Sequence, residues 1–318
     1  MATILVTGGT GFIGRNLCQR ALGQGWQVIV LTRNSKAAAK KLPPAVQIIE
    51  RLSDLKPDLA IETVVNLAGQ PLAEGRWTEA RKQNFIDSRV GATTDLYKFF
   101  SARDLKPSVL ISGSAIGYYG PGDHSVDESA TGTDCFSHRL CRAWETSAAQ
   151  FEQLDCRVCY LRTGIVLGDE GALAKMLPAF KLALGGPMGS GDQWMSWVHI
   201  EDMVSLIMHC IEVETLRGAV NATAPNPATN RQFSKALGAA LKRPAIFLSL
   251  IPHLRAHETV LDLVCRLLLE KKKLLPLSSS FFFFLSSYSF RPSPHFIPFS
   301  ILSIYSMLST LCYMHQLK

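Results

Sequence analysis

Thr7-Gly8-Gly9-Thr10-Gly11-Phe12-Ile13-Gly14 joins an apolar strand pattern, Ile4 to Thr7, to an amphipathic helix pattern that runs from Phe12 to Leu22. In that setting glycines do separate physical jobs. One turns the chain sharply, one lets the backbone approach a pyrophosphate, and one lets the helix pack closely on the strand. The helix that follows offers its unsatisfied N–H groups and the positive end of its dipole to phosphate oxygens. Glycines alone would be a weak signal, but the strand before and the helix after are the context a dinucleotide turn demands. The stretch therefore assigns Gly8, Thr10, Gly11, Phe12, Ile13 and Gly14 to cofactor binding.

The end of the second strand, Val28 to Leu31, selects among dinucleotides. An acidic residue there would bond the ribose 2′-hydroxyl of NAD, whereas Thr32-Arg33-Asn34 offers a hydroxyl and a guanidinium suited to a 2′-phosphate. NADP(H) is the expected cofactor. Further apolar strand runs at Thr63 to Leu67, Val109 to Ser112 and Arg157 to Leu161 alternate with helical stretches at Glu79 to Phe100 and Leu140 to Gln153. That alternation predicts an α/β fold, a Rossmann-type doubly wound parallel sheet with a smaller C-terminal substrate lobe. The expected division is 1–167 for the cofactor domain, with later segments returning to it, 168–245 for the lobe, and 246–318 for a divergent tail. The lobe is marked by a Gly/Pro-rich run, Gly185 to Gly191, an aromatic strand-like run, Trp194 to Ile200, and helices near Glu201 to Glu212 and Asn230 to Leu241.

With 318 residues, 47% of them hydrophobic and 19% charged, the chain can bury a large core, so disorder is excluded for most of it. Its net charge of +7 divides into +4 after Ala245 and +3 before it, with no basic stripe interleaved with aromatics, so nucleic acid is not an expected partner. The first residues carry no secretory pattern. The 8 cysteines are scattered, which fits the cytoplasm or an organelle matrix better than a disulfide framework. Cys156 and Cys159 mimic a C-x-x-C pair, but a spacing of three along a strand puts them on opposite faces, and no metal site is expected.

Asn66-Leu67-Ala68-Gly69, Ser112-Gly113-Ser114, Trp197-Val198-His199-Ile200-Glu201-Asp202 and the glycine turn together resemble the extended short-chain dehydrogenase/reductases. Within them the chain is most similar to an "epimerase family" branch related to nucleotide-sugar epimerases. Asp87-Ser88-Arg89-Val90-Gly91, Trp144-Glu145 and Arg162-Thr163-Gly164-Ile165-Val166-Leu167-Gly168 are among the supporting phrases, and the resemblance covers about Met1 to Ala245. It implies a fold of the kind just described, with Thr32 and Arg33 at the adenosine phosphate, Leu67, Ala68 and Gly69 passing over the ribose, and Asn84 and Arg89 reaching toward the cofactor. It also allows a homodimer paired through the two long helices.

Catalysis departs from the family pattern. Relatives use a Ser or Thr that orients substrate, a Tyr as general acid/base and a Lys four residues later that lowers the Tyr pKa. Ser112 or Ser114 fits the first role, but counting back from Glu145 leaves Ser137 where Tyr belongs and Cys141 where Lys belongs. The substitutes proposed from the sequence are Ser114, Tyr119 as general acid and Arg139 as the cation, with His138 and Tyr118 nearby. Trp194, Trp197 and His199 are further pocket candidates, although His199 reads better as the cap of the helix after it. Two functions follow: an NADP(H)-dependent oxidoreductase or epimerase acting on a small carbonyl, alcohol or sugar-nucleotide-like molecule, or an NADP(H)-binding regulatory protein without turnover.

After Ala245 the periodicity disappears into Ser278 to Ser280, Phe281 to Phe284 and a Ser, Leu, Pro and Phe mixture. These residues share pyrimidine-rich codons, which points to translation of a frameshift or retained intron. Phe296 to Met314 is uncharged and just long enough for a membrane helix, but Pro298 and its serines argue against insertion.

Overall fold

Strands whose residues are apolar on both faces can only be satisfied inside a sheet covered by helices on both sides. The computed structural model, which describes residues 2–72 and 76–245, has that arrangement. In chain order the first half consists of β1 (Thr3–Thr7), α1 (Phe12–Gly23), β2 (Gln27–Leu31), α2 (Ser35–Ala39), β3 (Gln47–Ile49), β4 (Thr63–Asn66), α3 (Glu79–Ile86), α4 (Ala92–Ser101) and β5 (Val109–Ala115). The second half consists of α5 (Phe136–Ala149), β6 (Arg157–Thr163), β7 (Ile165–Leu167), α6 (Gly171–Lys181), β8 (Trp194–Met195), β9 (Trp197–His199), α7 (Ile200–Glu212), β10 (Gly218–Ala222), β11 (Ala228–Thr229) and α8 (Asn230–Ala240).

Seven of the strands form one parallel sheet in the order β10-β6-β5-β4-β1-β2-β3. The order reverses between β1 and β4, and such a switch point opens a crevice beyond the carboxyl ends of the strands. One face buries Ile4, Val6, Val30, Val65, Ile111 and Leu161 under α1 and α7, and the other buries Leu5, Ile29, Val64, Leu110 and Val158 under α4 and α5. Each such side chain removed from water contributes about 1.5–3 kcal/mol. Cys159 belongs to the first face and Cys156 to the second, as their spacing predicts, and both are free.

A third cluster, Ile165, Leu167, Leu173, Met176, Phe180, Met195, Phe233 and Leu237, holds the lobe together. Its strands make two small sheets, β7 with β9 and β8 with β11, so the aromatic run 194–200 splits between them rather than forming one strand. The helix Ile200–Glu212, assigned to the lobe by its position in the chain, packs instead on the large sheet through Met203, Val204, Ile207 and Met208. The expected continuous helix from Glu79 to Phe100 is interrupted by a π turn at Asp87–Gly91 between α3 and α4. π turns insert one extra residue and re-aim the side chains around them, often at functional sites. Among the described residues no helix is long and apolar enough to cross a membrane. The tail, with its frameshift reading and the Phe296 to Met314 membrane reading, lies outside the described residues.

Candidate cofactor cleft and the network beside it

At the switch point the glycine turn meets the loop after β4. Gly8 has φ +68°, and a Cβ there would stand 2.5 Å from the Leu67 carbonyl oxygen. A Cβ on Gly14 would lie 2.4 Å from the Gly8 carbonyl oxygen and 2.6 Å from Gly9 Cα, so this glycine lets α1 pack against the turn. Gly11 caps α1 without a side chain, which leaves the first turn of the helix facing the crevice. Thr7 Oγ1 donates to Asn66 Oδ1 at 2.6 Å, and Asn66 Nδ2 donates to Thr93 Oγ1 at 2.8 Å, pinning the ends of β1 and β4 to the helix layer.

The resulting cleft has a volume of about 630 Å³, well inside the ~300–1,000 Å³ usual for cofactor sites. Gly8, Thr10, Gly11, Thr32, Arg33, Leu67, Ala68 and Gly69 all line it, and the structure therefore brings together eight of the residues assigned to the cofactor from the sequence. A small-residue cradle, a free helix N-terminus and an exposed guanidinium fit a phosphorylated dinucleotide. Phe12 and Ile13 turn their side chains into the core, so any contact they make with phosphate is through the main chain.

Two helix residues lie elsewhere. Asn84 is exposed on α3 and is not in the cleft wall. Arg89 is buried behind the wall: its Nη2 donates to the Gln70 carbonyl at 3.0 Å, its Nη1 to the Phe85 carbonyl at 3.2 Å, and its guanidinium lies 5.2 Å from the Trp144 ring centroid. Burial draws its pKa down to about 10, which leaves it charged at neutral pH. Ser88 Oγ accepts from Gln70 N at 3.0 Å. The π turn thus grips the Gly69-Gln70 loop through Ser88 and Arg89, and the contribution of Arg89 is to shape the wall rather than to line it.

Beside the cleft, Ser114 on β5, Arg162 on β6 and Asn221 on β10 are register neighbours across three strands. Glu145 of α5 faces them. Arg162 forks onto this carboxylate, Nε to Oε1 and Nη2 to Oε2, both at 3.0 Å, while Ser114 Oγ donates to Oε1 at 2.6 Å. Arg162 Nη1 donates to Tyr119 Oη at 3.1 Å and to the Glu128 carbonyl at 3.0 Å, and Tyr119 Oη donates to Asn221 Oδ1 at 2.6 Å. The Tyr118 ring lies 3.4 Å under the guanidinium. Burial works against the Arg162 charge, but its bonds to Glu145 and Tyr119 outweigh that and hold its pKa above the usual arginine value.

The cation that meets Tyr119 is therefore Arg162, not Arg139. Arg139 is exposed on the outer side of α5 and pairs with Asp134 at 2.8 Å. Ser137 and Cys141, at the family's Tyr and Lys positions, are buried against Gly117, where a Cβ would come within 3.1 Å of Ser137 Cβ and 3.7 Å of Cys141 Sγ. Burial and then the Glu145 carboxylate push the Cys141 thiol up to about 12, so it carries no charge at neutral pH. His138 is buried with its Nδ1 against the Tyr118 carbonyl. In the lobe Trp194 is exposed, Trp197 Nε1 donates to the Asn226 carbonyl at 3.1 Å, and His199 Nδ1 caps α7 by accepting from Glu201 N at 3.3 Å. No group of metal-ligating side chains occurs among the described residues.

Comparison with known proteins agrees with the fold. Residues 4–222 match the model of the NAD dependent epimerase/dehydratase family. The chain is 37% identical over 297 residues to the epimerase family protein SDR39U1 homolog, chloroplastic, of Arabidopsis thaliana, covering 91% of this chain and 84% of that protein. That match extends past Ala245, where the sequence reading ends the resemblance. The chain is 36% identical to the epimerase family protein YfhF of Bacillus subtilis, covering 76% of this chain and 80% of the relative. Among solved structures, human epimerase family protein SDR39U1 (isoform2) with NADPH superposes with a TM-score of 0.69 at 28% identity, covering 86% of this chain and 100% of that one.

Proposed function

The chain belongs to the NAD dependent epimerase/dehydratase family, and we propose that within it this protein binds NADP(H) in preference to NAD(H) and holds it as a ligand, with the family's proton relay replaced. The observation that carries the preference is Arg33 at the exit of β2, exposed and lining the cleft. The human relative solved with NADPH supports the same choice. In this reading the first turn of α1 and Thr10 hold the pyrophosphate, Thr32 and Arg33 the 2′-phosphate, and Leu67 to Gly69 cover the ribose. Bound cofactor would supply hydride chemistry. The chain's own proton-handling groups are committed elsewhere, Ser114 to Glu145 and Tyr119 to Asn221. The cysteine content suits a reducing compartment, the cytosol or an organelle matrix.

One observation favours turnover. Arg162 places a cation on the Tyr119 phenol oxygen, as the family's lysine serves its tyrosine, so a second reading is an oxidoreductase acting on a small carbonyl or alcohol with Tyr119 as proton donor. Following NADPH oxidation across carbonyl and sugar-nucleotide substrates separates the two. The first reading expects binding without turnover of any of them. Turnover that disappears in Tyr119→Phe would replace it with the second, and turnover indifferent to that substitution would remove Tyr119 from either account.

A further inference from the structure

A second guanidinium stands where Arg33 enters the cleft. β2 and β3 run in register with Leu31 opposite Ile49, and Thr32 N donates to the Ile49 carbonyl at 3.0 Å, so the chain leaves both strands side by side. Arg33 and Arg51 are two residues beyond that pair on their respective strands; both are exposed and both line the cleft. Neither is in an ion pair among the described residues. The Arg51 backbone is fixed, its N–H donating to Asp54 Oδ2 at 3.0 Å and its carbonyl accepting from Asp54 N at 3.1 Å. Glu50, the carboxylate between them, accepts from Ser35 N at 2.8 Å and so is tied toward α2. The Asp54 carboxylate is likewise held by main-chain N–H groups, those of Glu50 and Arg51. Two guanidinia outside any ion pair thus stand beside two carboxylates already bonded to backbone, and both guanidinia remain available to the kind of bidentate contact a phosphate monoester accepts.

We propose that Arg51 is a second specificity-determining residue, which with Arg33 brackets the 2′-phosphate of NADP(H) from the β3 side; the inference rests on the cofactor reading above. Glycine turn and helix dipole serve any dinucleotide equally, so the charged part of the discrimination falls to these two side chains, with the Thr32 hydroxyl beside them. Titration of the full chain with 2′,5′-ADP and with 5′-AMP isolates the subsite, because the two probes differ only in the 2′-phosphate. The unsubstituted chain is expected to prefer 2′,5′-ADP, and Arg51→Ala to weaken that probe about tenfold or more, the worth of one charge-assisted bond, while 5′-AMP binding stays unchanged. Arg51→Lys should recover part of the loss. If Arg51→Ala keeps the full preference while Arg33→Ala erases it, the Arg51 role is overturned and the cofactor reading stands. Binding of neither probe by the unsubstituted chain would overturn both.

Discussion

Gly14→Ala is expected to lower NADPH affinity about 100-fold or more and to destabilise the chain by roughly 1–3 kcal/mol. The added carbon would sit 2.4 Å from the Gly8 carbonyl oxygen and 2.6 Å from Gly9 Cα, and both are main-chain atoms that cannot rotate away. Relief requires α1 to shift from β1, which strains the packed interface. The same shift withdraws the first-turn N–H groups from the pyrophosphate, and losing two charge-assisted bonds at about 1.5 kcal/mol or more each gives the stated loss of affinity. Gly23→Ala at the far end of the same helix is the control. A Cβ there meets nothing within 4 Å, so the substitution should leave binding unchanged and stabilise slightly. Titration and thermal unfolding of both variants check the account, and unaltered NADPH binding by Gly14→Ala would refute the place given to the turn.

The second large effect is expected in the buried network. Glu145→Ala should cost about 3–5 kcal/mol of stability, because it strands the Arg162 charge in an interior where both partners' side chains are now only 5% and 10% exposed. It also leaves Ser114 Oγ without its acceptor. Glu145→Leu combined with Arg162→Met removes both charges and should recover much of that loss, since apolar replacements of a buried pair are often nearly neutral. Tyr119 and the Glu128 carbonyl lose a donor in the double variant, so recovery should be incomplete. Urea unfolding of the three proteins measures this. A single variant as stable as the parent would mean that the pair contributes nothing.

These two cases also show what sequence patterns can and cannot carry. The glycine turn was legible because its constraint is largely local: strand, turn and helix lie within Thr3–Gly23, Gly11 and Gly14 answer to atoms of the turn itself, and Gly8 and Gly9 to the neighbouring strands' Leu67 and Val30. Parallel strands were legible from their apolar runs. The π turn at Asp87–Gly91 was not, because one extra residue per turn leaves no compositional mark inside a helical pattern. α7 was misplaced because an apolar stripe of Met203, Val204, Ile207 and Met208 declares that a helix is buried without saying which sheet buries it. Arg162 was not singled out as the cation beside Tyr119 because it continues an apolar strand run past Leu161, and its partner Glu145 comes from a helix 17 positions earlier. Arg139 could have been rejected: it stands two residues from Cys141, and residues two apart on a helix point to different faces.

The central claim is that the cleft at the β1/β4 switch point is built for NADP(H). Calorimetric titration of the unsubstituted chain with NADPH and with NADH tests it most directly. The account predicts that NADPH binds at least about tenfold tighter, the share owed to the 2′-phosphate, and equal affinities for the two would contradict it.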